Sequence, residues 1–423
     1  MTITRIEATR LVPGRGDVLE DAVVVLEDGV IGYAGTGEDA PPPGEDTTTV
    51  TTDTVMPGLW ECHGHFIGTY SANIAEMHTL RPQLGAMRVT GDARRALMAG
   101  FTSVREMGGM GTFLARAIDE GQVVGPNVYA SGSMLSMTAG HGDEHGMEFD
   151  VARASIARQW GEDNICDGPD ECRAGVRRML RLGAKVIKIH ASGGVMSELD
   201  DPQLPQFSKA ELEAIVDEAT RMERLVGAHC HGKRGIMSAL EAGVMTIEHG
   251  TYLDDEAADA MVETGAILVP TRWILRYLMA EGSKKGMPEY ARVKGEIASQ
   301  HHANAISLAV EKGVKVALGT DIWATGLWGK NAEEIGLMVE VGMTPLQAIE
   351  AATANGPDTL GPQAPKSGQL LDGYDADVIC VTGDPSADVS ILADPENVTH
   401  VFKGGVQHKG LSPLSKGETA RTK

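Results

Sequence analysis

Eight short apolar segments in the middle of the chain alternate with stretches of helical pattern. They are TVMPGLWECHGH, FTSVREMGG, PNVYASGSML, AKVIKIHASGG, LVGAHCHG, MTIEHGT, AILVPTRW and VKVALGTD. One intervening stretch opens with a capping box, Ser208 with Glu211 three residues later, and another opens in the same way at Thr344 with Gln347. Strands that alternate with helices are typical of parallel βαβ units. Eight such units predict an α/β fold, a TIM-type (β/α)8 barrel, with a doubly wound open sheet as the alternative.

Both ends of the chain differ from the middle. The segments IEATRLVP and AVVVLEDGVIGYAG near the start, and DADVICVTG and VTHVFKGGVQH near the end, are short, rich in β-branched residues and separated by turn residues. Chain termini often lie close together in a folded protein. We therefore predict that residues 1–56 and 357–423 build one small β domain, and that residues 57–356 form the barrel inserted between them.

The charge of the chain restricts its partners. There are 37 Lys and Arg against 59 Asp and Glu, a formal net charge of −22, which disfavours binding to nucleic acid or to an anionic membrane surface. The five cysteines are scattered without a CxxC pair, so a thiolate zinc site is not indicated. Neither an apolar leader at the N-terminus nor a membrane-spanning apolar run is visible. We expect a cytoplasmic protein that acts on a small molecule.

Several histidines lie where predicted strands end. His63 and His65 close the first strand, His229 and His231 close the fifth, and His249 closes the sixth. Residues i and i+2 of a strand project to the same side, and in a barrel the carboxyl ends of the strands form the active-site face. Any one of these side chains could be a hydrogen-bonded core histidine. Together, imidazoles without thiolates favour a site for zinc or a similar divalent metal with hydrolytic chemistry.

Two further charged residues belong to the same predicted strands. Asp321 directly follows the eighth strand, where an acidic side chain must be paired, hydrogen-bonded or metal-bound, or else cap the next helix. Lys188 lies inside an apolar strand, VIKI, that this architecture buries on both faces. A buried amine loses its charge more easily, and a neutral amine can add carbon dioxide to form an anionic carbamate. The alternative is a lysine with a buried carboxylate partner.

Glycines surround the predicted site. Gly64, between two of the histidines, is expected to let the backbone approach a metal. The glycine-rich stretches 107–111 and 192–194 contain neither a complete GxGxxG pattern nor a Walker motif. They are therefore interpreted as tight strand-to-helix turns that border the site rather than as phosphate-binding loops.

In combination, PGLWECHGH, VIKIHASGG, AHCHG, IEHGT and LGTD make the chain similar to the amidohydrolase superfamily. Within it, the chain resembles the imidazolonepropionase-related branch with metal-dependent Xaa-Pro dipeptidases, carboxypeptidase-like enzymes and ochratoxin-degrading amidohydrolases. The resemblance spans nearly the whole chain, and GYDADVICV resembles part of the composite β-sandwich domain of such enzymes. The metal ligands that it implies are His63, His65, a carboxylated Lys188, His229, His249 and Asp321.

The resemblance also implies a mechanism. Two divalent metal ions, expected to be zinc, would be bridged by a hydroxide and by the carbamate of Lys188. One metal would be held by His63, His65 and Asp321, and the other by His229 and His249. The bridging hydroxide would attack the substrate carbonyl, and Asp321 would pass its proton to the leaving amine.

Contacts to the substrate are assigned by position. His231 is expected to donate a hydrogen bond to the substrate carbonyl or oxyanion, and His141, in a GHGD-like segment after the third strand, to contact the substrate. Arg272, Arg276 and Lys330 follow the seventh and eighth strands, and one of them is a candidate for binding a substrate carboxylate, although an exposed charge is the commoner case at such positions.

These observations predict a binuclear metal-dependent hydrolase of an amide bond to an amino acid with a free C-terminal carboxylate. The expected substrates are dipeptides, N-acyl amino acids or ochratoxin A-type amides of phenylalanine, the carboxylate preference resting on the resemblance alone. The alternatives are a mononuclear cyclic-amide hydrolase or deaminase on the same fold, and a non-catalytic scaffold protein. Related enzymes are often homo-oligomers, so the same assembly is expected here.

Overall fold

The computed structural model of the chain describes residues 3–410, and the elements below are those of this range. The strands are β1 Ile3–Leu11, β2 Leu19–Glu27, β3 Val30–Thr36, β4 Thr47–Pro57, β5 Leu59–Thr69, β6 Phe101–Glu106, β7 Asn127–Ala130, β8 Ile187–His190, β9 Val226–Cys230, β10 Thr246–His249, β11 Ile267–Val269, β12 Lys315–Val316, β13 Ile322–Ala324, β14 Val378–Val381, β15 Val398–Lys403 and β16 Val406–Lys409.

The α-helices are α1 Pro82–Met98, α2 Gly111–Asp119, α3 Phe149–Trp160, α4 Gly168–Leu182, α5 Lys209–Arg221, α6 Lys233–Glu241, α7 Asp255–Thr264, α8 Arg272–Glu281, α9 Glu289–Lys312, α10 Glu333–Glu340 and α11 Pro345–Ala351. Short 3₁₀ helices lie at Ile74–Thr79, Gly282–Lys285, Pro357–Gln363, Val389–Ala393 and Pro395–Asn397. Both capping boxes predicted from the sequence are present, with Ser208 before α5 and Thr344 before α11.

Strands from the two ends of the chain pair in one seven-stranded sheet, in the order β16-β15-β14-β4-β1-β2-β3. β14 runs antiparallel to β4, so the C-terminal segment adds directly to the N-terminal strands. A cluster of buried apolar side chains that includes Ile6, Val24 and Phe402 holds this sheet together. A second sheet packed on it as in a sandwich, and the predicted boundaries at 56/57 and 356/357, remain predictions. Residues 1–2 and 411–423 of that predicted domain lie outside the described residues.

The middle of the chain contains two parallel sheets. Their orders are β12-β11-β10-β9-β8 and β13-β5-β6-β7, so all eight predicted segments form strands. Backbone hydrogen bonds join the sheets at both sides, from Leu135 N to Lys188 O (2.9 Å) and from Cys62 N to Leu318 O (2.8 Å). Every residue of β5 and of β8 is buried, as expected for parallel strands covered by helices. The fold is thus mixed α/β with parallel sheets, while closure into a barrel remains a prediction.

One strand differs from its predicted length. His63 and His65 were expected at the end of the first strand, but β5 continues four residues beyond His65 to Thr69. The extension pairs with β13, where Ala324 lies opposite Thr69. β13 is far from β5 in the sequence, so the local pattern around His65 could not predict this extension of the strand. In residues 3–410, no helix is both long enough and apolar enough to cross a membrane.

Asp377 connects the terminal sheet to the central part of the fold. Its side chain is 3% exposed and accepts hydrogen bonds from Asn127 Nδ2 on β7 (2.8 Å) and from Gly404 N (2.7 Å). Burial, with the nearby Asp375 carboxylate, raises the pKa of Asp377 to about 6 from its ordinary value of 3.8. A raised pKa means that the folded state holds the proton more tightly than the unfolded chain does.

We predict that this group makes the folded state less stable as the pH rises. Its stabilisation is complete below the unfolded pKa near 4 and is lost as the pH rises through about 6. Relative to Asp377→Asn, the wild-type free energy of unfolding should fall by roughly 2.5 kcal/mol between pH 4 and pH 7.5, at about 1.4 kcal/mol per pKa unit. Urea unfolding across this range tests it, with the exposed Asp372→Asn as the matched control. A pH-independent difference between wild type and Asp377→Asn would contradict the assignment.

Candidate active site

The candidate site is one cavity at the carboxyl ends of the parallel strands, enclosing about 1210 Å³ including its open mouth. The side chains that line it include every predicted metal ligand as well as both predicted catalytic histidines. These residues are His63, His65, His141, Lys188, His229, His231, His249 and Asp321. β5, β8, β9 and β10 supply most of them, and Asp321 stands directly before β13. The structure therefore gathers residues that lie as much as 258 positions apart, from His63 to Asp321, in one place.

The first group of ligating atoms forms around Asp321. Its Oδ1 lies 3.0 Å from His65 Nε2 and 3.6 Å from His63 Nε2. His63, His249 and Asp321 offer ligand atoms that all lie within 4.8 Å of one another. Burial alone would raise the pKa of Asp321, but its contact with His65 and the nearby His63 and Lys188 hold the pKa below its ordinary value. Asp321 is therefore an ionised carboxylate that points at two imidazoles.

The second group consists of three imidazoles. His229, His231 and His249 offer nitrogens that also lie within 4.8 Å of one another. His249 belongs to both groups, so the two groups are adjacent in the cavity. The sequence assigned His231 to the substrate rather than to a metal, and the structure places it with His229 and His249 in one metal-compatible set. Each of these two adjacent sets could hold a metal ion.

The imidazoles are oriented by their second nitrogen. The Nδ1 of His63 donates to Glu248 Oε2, that of His65 donates to Gly108 O, and that of His249 lies against Thr271 Oγ1, each at 2.7 Å. A histidine whose Nδ1 is engaged in this way presents the Nε2 lone pair as the metal-binding atom. The donor set therefore fits divalent cations that prefer imidazole and carboxylate ligands.

His229 differs from these three histidines because its Nε2, not its Nδ1, contacts a neighbour. Its Nε2 lies 3.2 Å from the carbonyl oxygen of Gly193, which leaves Nδ1 as the nitrogen free to bind a metal. The carbonyls of Gly108 and Gly193 thus each fix one site histidine, and both belong to the glycine-rich stretches that the sequence indicated as turns bordering the site. Gly64 has a different explanation from the predicted one, because an added Cβ would lie 2.5 Å from the Trp328 ring.

Three residues of the site adopt left-handed backbone conformations that are unusual for non-glycine residues. The φ angles are 71° at His249, 52° at Thr271 and 60° at Asp321. Such conformations cost roughly 1–3 kcal/mol each and persist only where the surroundings enforce them. At Asp321 the backbone N donates to His63 O at 2.6 Å, which ties the strained residue to the strand that carries two of the histidines.

A buried ion pair that the sequence did not indicate as part of the site supports His63. The Arg105 guanidinium donates to both Glu248 oxygens, at 2.8 and 2.9 Å, and both side chains are fully buried. Burial alone would raise the pKa of Glu248, but Arg105 and His63 hold it well below its usual range. Burial and the nearby Lys188 lower the pKa of His63 to about 4, so the ring is neutral and able to bind a cation.

Lys188 lies against the metal-binding groups. The carboxylates of Glu248 and Asp321 are near enough to oppose the lowering of its pKa, but within residues 3–410 neither of them forms a hydrogen bond with Nζ. The residue is 1% exposed, and its Nζ lies 3.4 Å from His63 Nε2, its one hydrogen-bonding neighbour within residues 3–410. Burial lowers the pKa of Lys188 to about 8. The alternative interpretation, a lysine paired with a buried carboxylate, is not what the structure contains in this range. Lys185, at the start of the same segment, is exposed as expected.

His141 is held by a chain of contacts that the sequence did not reveal. Its Nδ1 lies 2.7 Å from Ser197 Oγ, and that hydroxyl donates to Asp200 Oδ1. Lys294, from α9, in turn donates to Asp200 Oδ1 (3.1 Å) and to the carbonyls of Gly194, Ser197 and Asp200. One ammonium therefore fixes the 194–200 loop. The His141 ring stacks on that of His229 with 4.2 Å between centroids.

The three cationic candidates for a substrate carboxylate do not reach the cavity. Arg276 is exposed and pairs with Glu340 at 3.0 Å, and Lys330 is exposed as well. Arg272 is half-buried outside the cavity lining. A residue that follows a strand is expected at the carboxyl end of the sheet, but its position in the chain does not predict whether its side chain points into the cavity. Among described residues, Lys188 is the one lysine or arginine that lines the cavity.

The remaining lining is largely apolar. α8 contributes Ile274, Leu275 and Leu278, whose spacing of one and four residues is typical of one helix face. Trp160 at the end of α3 and Met77 of the first 3₁₀ helix extend the wall. The sequence reasoning missed these residues, although the apolar face of α8 was a usable indication. An apolar lining of this kind is typical of pockets that accommodate an apolar group of a ligand.

Comparisons with known proteins agree on one family. Residues 54–407 match the model of the amidohydrolase family. Ochratoxinase from Aspergillus niger is 42% identical over 99% of this chain and 89% of its own length. The crystal structure of A. niger ochratoxinase is similar with a TM-score of 0.90 and 41% identity, covering 97% of this chain and 96% of that one.

Two other relatives extend the comparison. The crystal structure of a prolidase complexed with N-methylphosphonate-L-proline has a TM-score of 0.90 and 32% identity, covering 96% of this chain and 100% of that one. Imidazolonepropionase from Nocardia farcinica is 25% identical over 91% of this chain and 88% of its own length.

Replacing Lys294 should loosen the loop that holds His141. In Lys294→Met, the Asp200 carboxylate and three carbonyls lose their shared donor, at a cost of about 1–3 kcal/mol. We expect amides of residues 194–201 to exchange hydrogen about ten-fold faster or more, as measured by mass spectrometry. Lys312→Met removes an ammonium from the same helix that pairs with Asp255 and Asp259, and is the matched control. Unchanged exchange at 194–201 in Lys294→Met would show that the loop is fixed by other contacts.

Proposed function

This chain belongs to the amidohydrolase family, and on that premise we propose that it hydrolyses an amide bond using two divalent cations held in its cavity. The observation that carries the proposal is the presence of two adjacent sets of ligand atoms in one cavity. One set is His63, His249 and Asp321, and the other is His229, His231 and His249. His65 and Lys188 line the same cavity. Zinc or a similar ion suits imidazole and carboxylate donors without thiolates.

We also propose the finer architecture predicted from the sequence. The two parallel sheets would close into a (β/α)8 barrel over residues 57–356, and the terminal segments would form a composite β-sandwich domain. The backbone hydrogen bonds that join the sheets at both sides support closure. The pairing of β14 with β4 supports a domain built from both ends of the chain.

His63, His65 and Asp321 would hold one cation, and His229 and His249 the other. When bound, the two ions would polarise the scissile carbonyl and make a water molecule acidic enough to act as the nucleophile near neutral pH. Because the Nδ1 atoms of His63, His65 and His249 are engaged by neighbours, these rings are oriented before any ion arrives.

Lys188 is proposed to carry a carbamate shared by both cations. Its neutral amine would form an N–C bond to carbon dioxide and lose one proton, which replaces an ammonium by an anion. The burial of Lys188, its 3.4 Å distance to His63 Nε2 and the lack of a carboxylate partner within residues 3–410 support this assignment. An unmodified ammonium in this place would repel the cations that the surrounding imidazoles are arranged to bind.

Proton transfer is assigned to Asp321. Its carboxylate would accept a proton from the attacking water as the C–O bond forms and the carbonyl becomes a tetrahedral oxyanion. It would then deliver that proton to the leaving nitrogen as the oxyanion collapses and the C–N bond breaks. With Thr251 Oγ1 donating to its Nδ1 at 2.7 Å, a neutral His231 would donate from Nε2 to the developing oxyanion. In the opposite tautomer, its Nε2 would bind a cation with His229. His141, held by Ser197, would contact the substrate beside His229.

The proposed substrates are amides of an amino acid with a free C-terminal carboxylate: dipeptides, N-acyl amino acids or ochratoxin A-type amides of phenylalanine. Similarity to ochratoxinase and to a prolidase complexed with N-methylphosphonate-L-proline supports this class. The apolar wall from α8 and Trp160 would accommodate a large apolar group. A cytoplasmic location and a homo-oligomeric assembly remain predictions of the sequence.

Metal content tests the role of Lys188 and distinguishes the alternatives. We expect about two divalent ions per wild-type chain, and one or none in Lys188→Ala, with hydrolysis of N-acyl-phenylalanine lowered by orders of magnitude. Elemental analysis after dialysis gives the ion count, and a ¹³C carbamate resonance after exposure to labelled bicarbonate reports the modification. Lys185→Ala, an exposed lysine of the same segment, is the control. Two ions and a normal rate in Lys188→Ala would remove Lys188 from the site.

A single ion per wild-type chain would instead favour a mononuclear cyclic-amide hydrolase or deaminase. A fully loaded protein without turnover on a panel of N-acyl amino acids would favour a non-catalytic scaffold.

Asp321→Asn tests the proton transfer. At equal metal occupancy, we expect the rate constant of turnover to fall about 100-fold or more, since general acid–base catalysis contributes roughly 10²–10⁴-fold. Circular dichroism checks the fold, and elemental analysis checks the occupancy. Asp255→Asn, at an exposed position of α7, is the matched control. Turnover within a factor of two of wild type would refute the assignment of Asp321 as the proton carrier.

A further inference from the structure

The outer part of the cavity is acidic. Asp143 and Glu144, from the loop after β7, and Glu198, from the loop after β8, all line it. The Glu144 side chain is 19% exposed. Its pKa is raised by burial and, further, by the neighbouring carboxylates of Asp143 and Glu198. Three carboxylates thus face one space, and those of Asp143 and Glu198 make ionisation of Glu144 more costly.

A buried histidine without a hydrogen bond faces the same space. The side chain of His78, in the 3₁₀ helix Ile74–Thr79, is 4% exposed and lines the cavity. Its Nδ1 is buried with no hydrogen-bond partner within residues 3–410. Its Nε2 lies 3.9 Å from Glu144 Oε2, which is too long for a direct hydrogen bond. Burial and the nearby Arg158 lower the pKa of His78, so the ring is a neutral donor and acceptor.

No cation of the described lining offsets these carboxylates. Lys188 is the one lysine or arginine that lines the cavity, and it lies beside His63 among the metal-binding groups. His145 also lines the cavity, but both of its ring nitrogens are engaged, with Leu199 N and with Gly140 O. Arg158 lies behind His78, where it donates to the His78 carbonyl rather than into the cavity. Carboxylates gathered without a counter-charge favour a ligand that brings one.

We propose that Glu144, with Asp143, Glu198 and His78, binds an alkylammonium group of the substrate. Glu144 Oε2 and His78 Nε2 are too far apart, at 3.9 Å, to form a hydrogen bond with each other. An ammonium has three N–H donors, so one nitrogen between these two atoms can donate to both of them. The proposal rests on the proposed amide hydrolysis and narrows it.

The charge of the site also decides which half of the substrate carries the ammonium. In the proposed reaction, the leaving half carries a free carboxylate. A carboxylate would be repelled by Asp143, Glu144 and Glu198. The acyl half therefore faces these residues, and its ammonium is either the α-amino group of a dipeptide or the side chain of an N-terminal lysine-like residue.

Matched substrate pairs test this and separate the two sources. Leu-Phe against 4-methylpentanoyl-Phe differs by the α-ammonium alone. Nα-acetyl-Lys-Phe against Nα-acetyl-norleucyl-Phe differs by the side-chain ammonium alone. We expect kcat/KM to favour the charged member by about ten-fold or more in one pair, which corresponds to ~1.4 kcal/mol. In Glu144→Gln and in the double variant with Glu198→Gln, this ratio should fall towards one.

Glu213→Gln, an exposed carboxylate of α5 outside the cavity, is the control and should keep the wild-type ratio. Ratios near one in both pairs for the wild type, or a ratio that Glu144→Gln leaves unchanged, would overturn the proposal.

A binding measurement keeps the proposal testable if hydrolysis fails. Calorimetry compares Nα-acetyl-lysinamide and leucinamide with Nα-acetyl-norleucinamide and 4-methylpentanamide, none of which needs to be cleaved. Tighter binding of a charged ligand that is lost in Glu144→Gln supports the ammonium site even if the protein hydrolyses no amide. Equal binding of charged and neutral ligands contradicts it, whatever the result for hydrolysis.

Discussion

The site depends on a buried ion pair between Arg105 and Glu248. In the fully buried space beneath the cavity, Glu248 accepts from Arg105 and from His63 Nδ1 at once. Removing either charged partner would leave the other uncompensated, which costs about 3–5 kcal/mol in typical proteins. The pair therefore does more than stabilise the interior, because it fixes the tautomer and orientation of a ring that faces both Asp321 and Lys188. His65, His231 and His249 are likewise oriented by a contact at Nδ1, in these cases with an uncharged partner.

The cavity divides into two chemical regions. The inner region gathers imidazoles, one carboxylate and one buried amine, and suits cations that activate water. The outer region combines an apolar wall with carboxylates and with His78, whose Nδ1 has no hydrogen-bond partner among the described residues. The loop that carries Glu198 is fixed by Lys294, which also positions His141 through Asp200 and Ser197. One loop thus carries Glu198, which is proposed to bind the acyl half of the substrate, and also Ser197, which positions His141.

The parts of the fold and site that were predictable from the sequence are those with a local pattern. Strand segments, capping boxes and HxH spacings are recognisable within a few residues, and they predicted ligand candidates, including Lys188, that the structure places around one cavity. The pairing of Arg105 with Glu248 spans 143 positions and carries no local pattern. Arg276 lies after a strand of the parallel sheet, as predicted, but its side chain points outward to Glu340. The direction of that side chain depends on which face of α8 carries the residue, and the position in the chain does not show this.

The most direct test is a crystal structure of the purified protein with anomalous data collected at the absorption edge of the bound metal. The account predicts two anomalous peaks about 3.5–4 Å apart, one beside His63, His65 and Asp321 and the other beside His229 and His249. It also predicts continuous density that extends beyond Lys188 Nζ and reaches both peaks. A single peak, or none, together with density that ends at the Nζ atom of an unmodified lysine, would contradict the central claim.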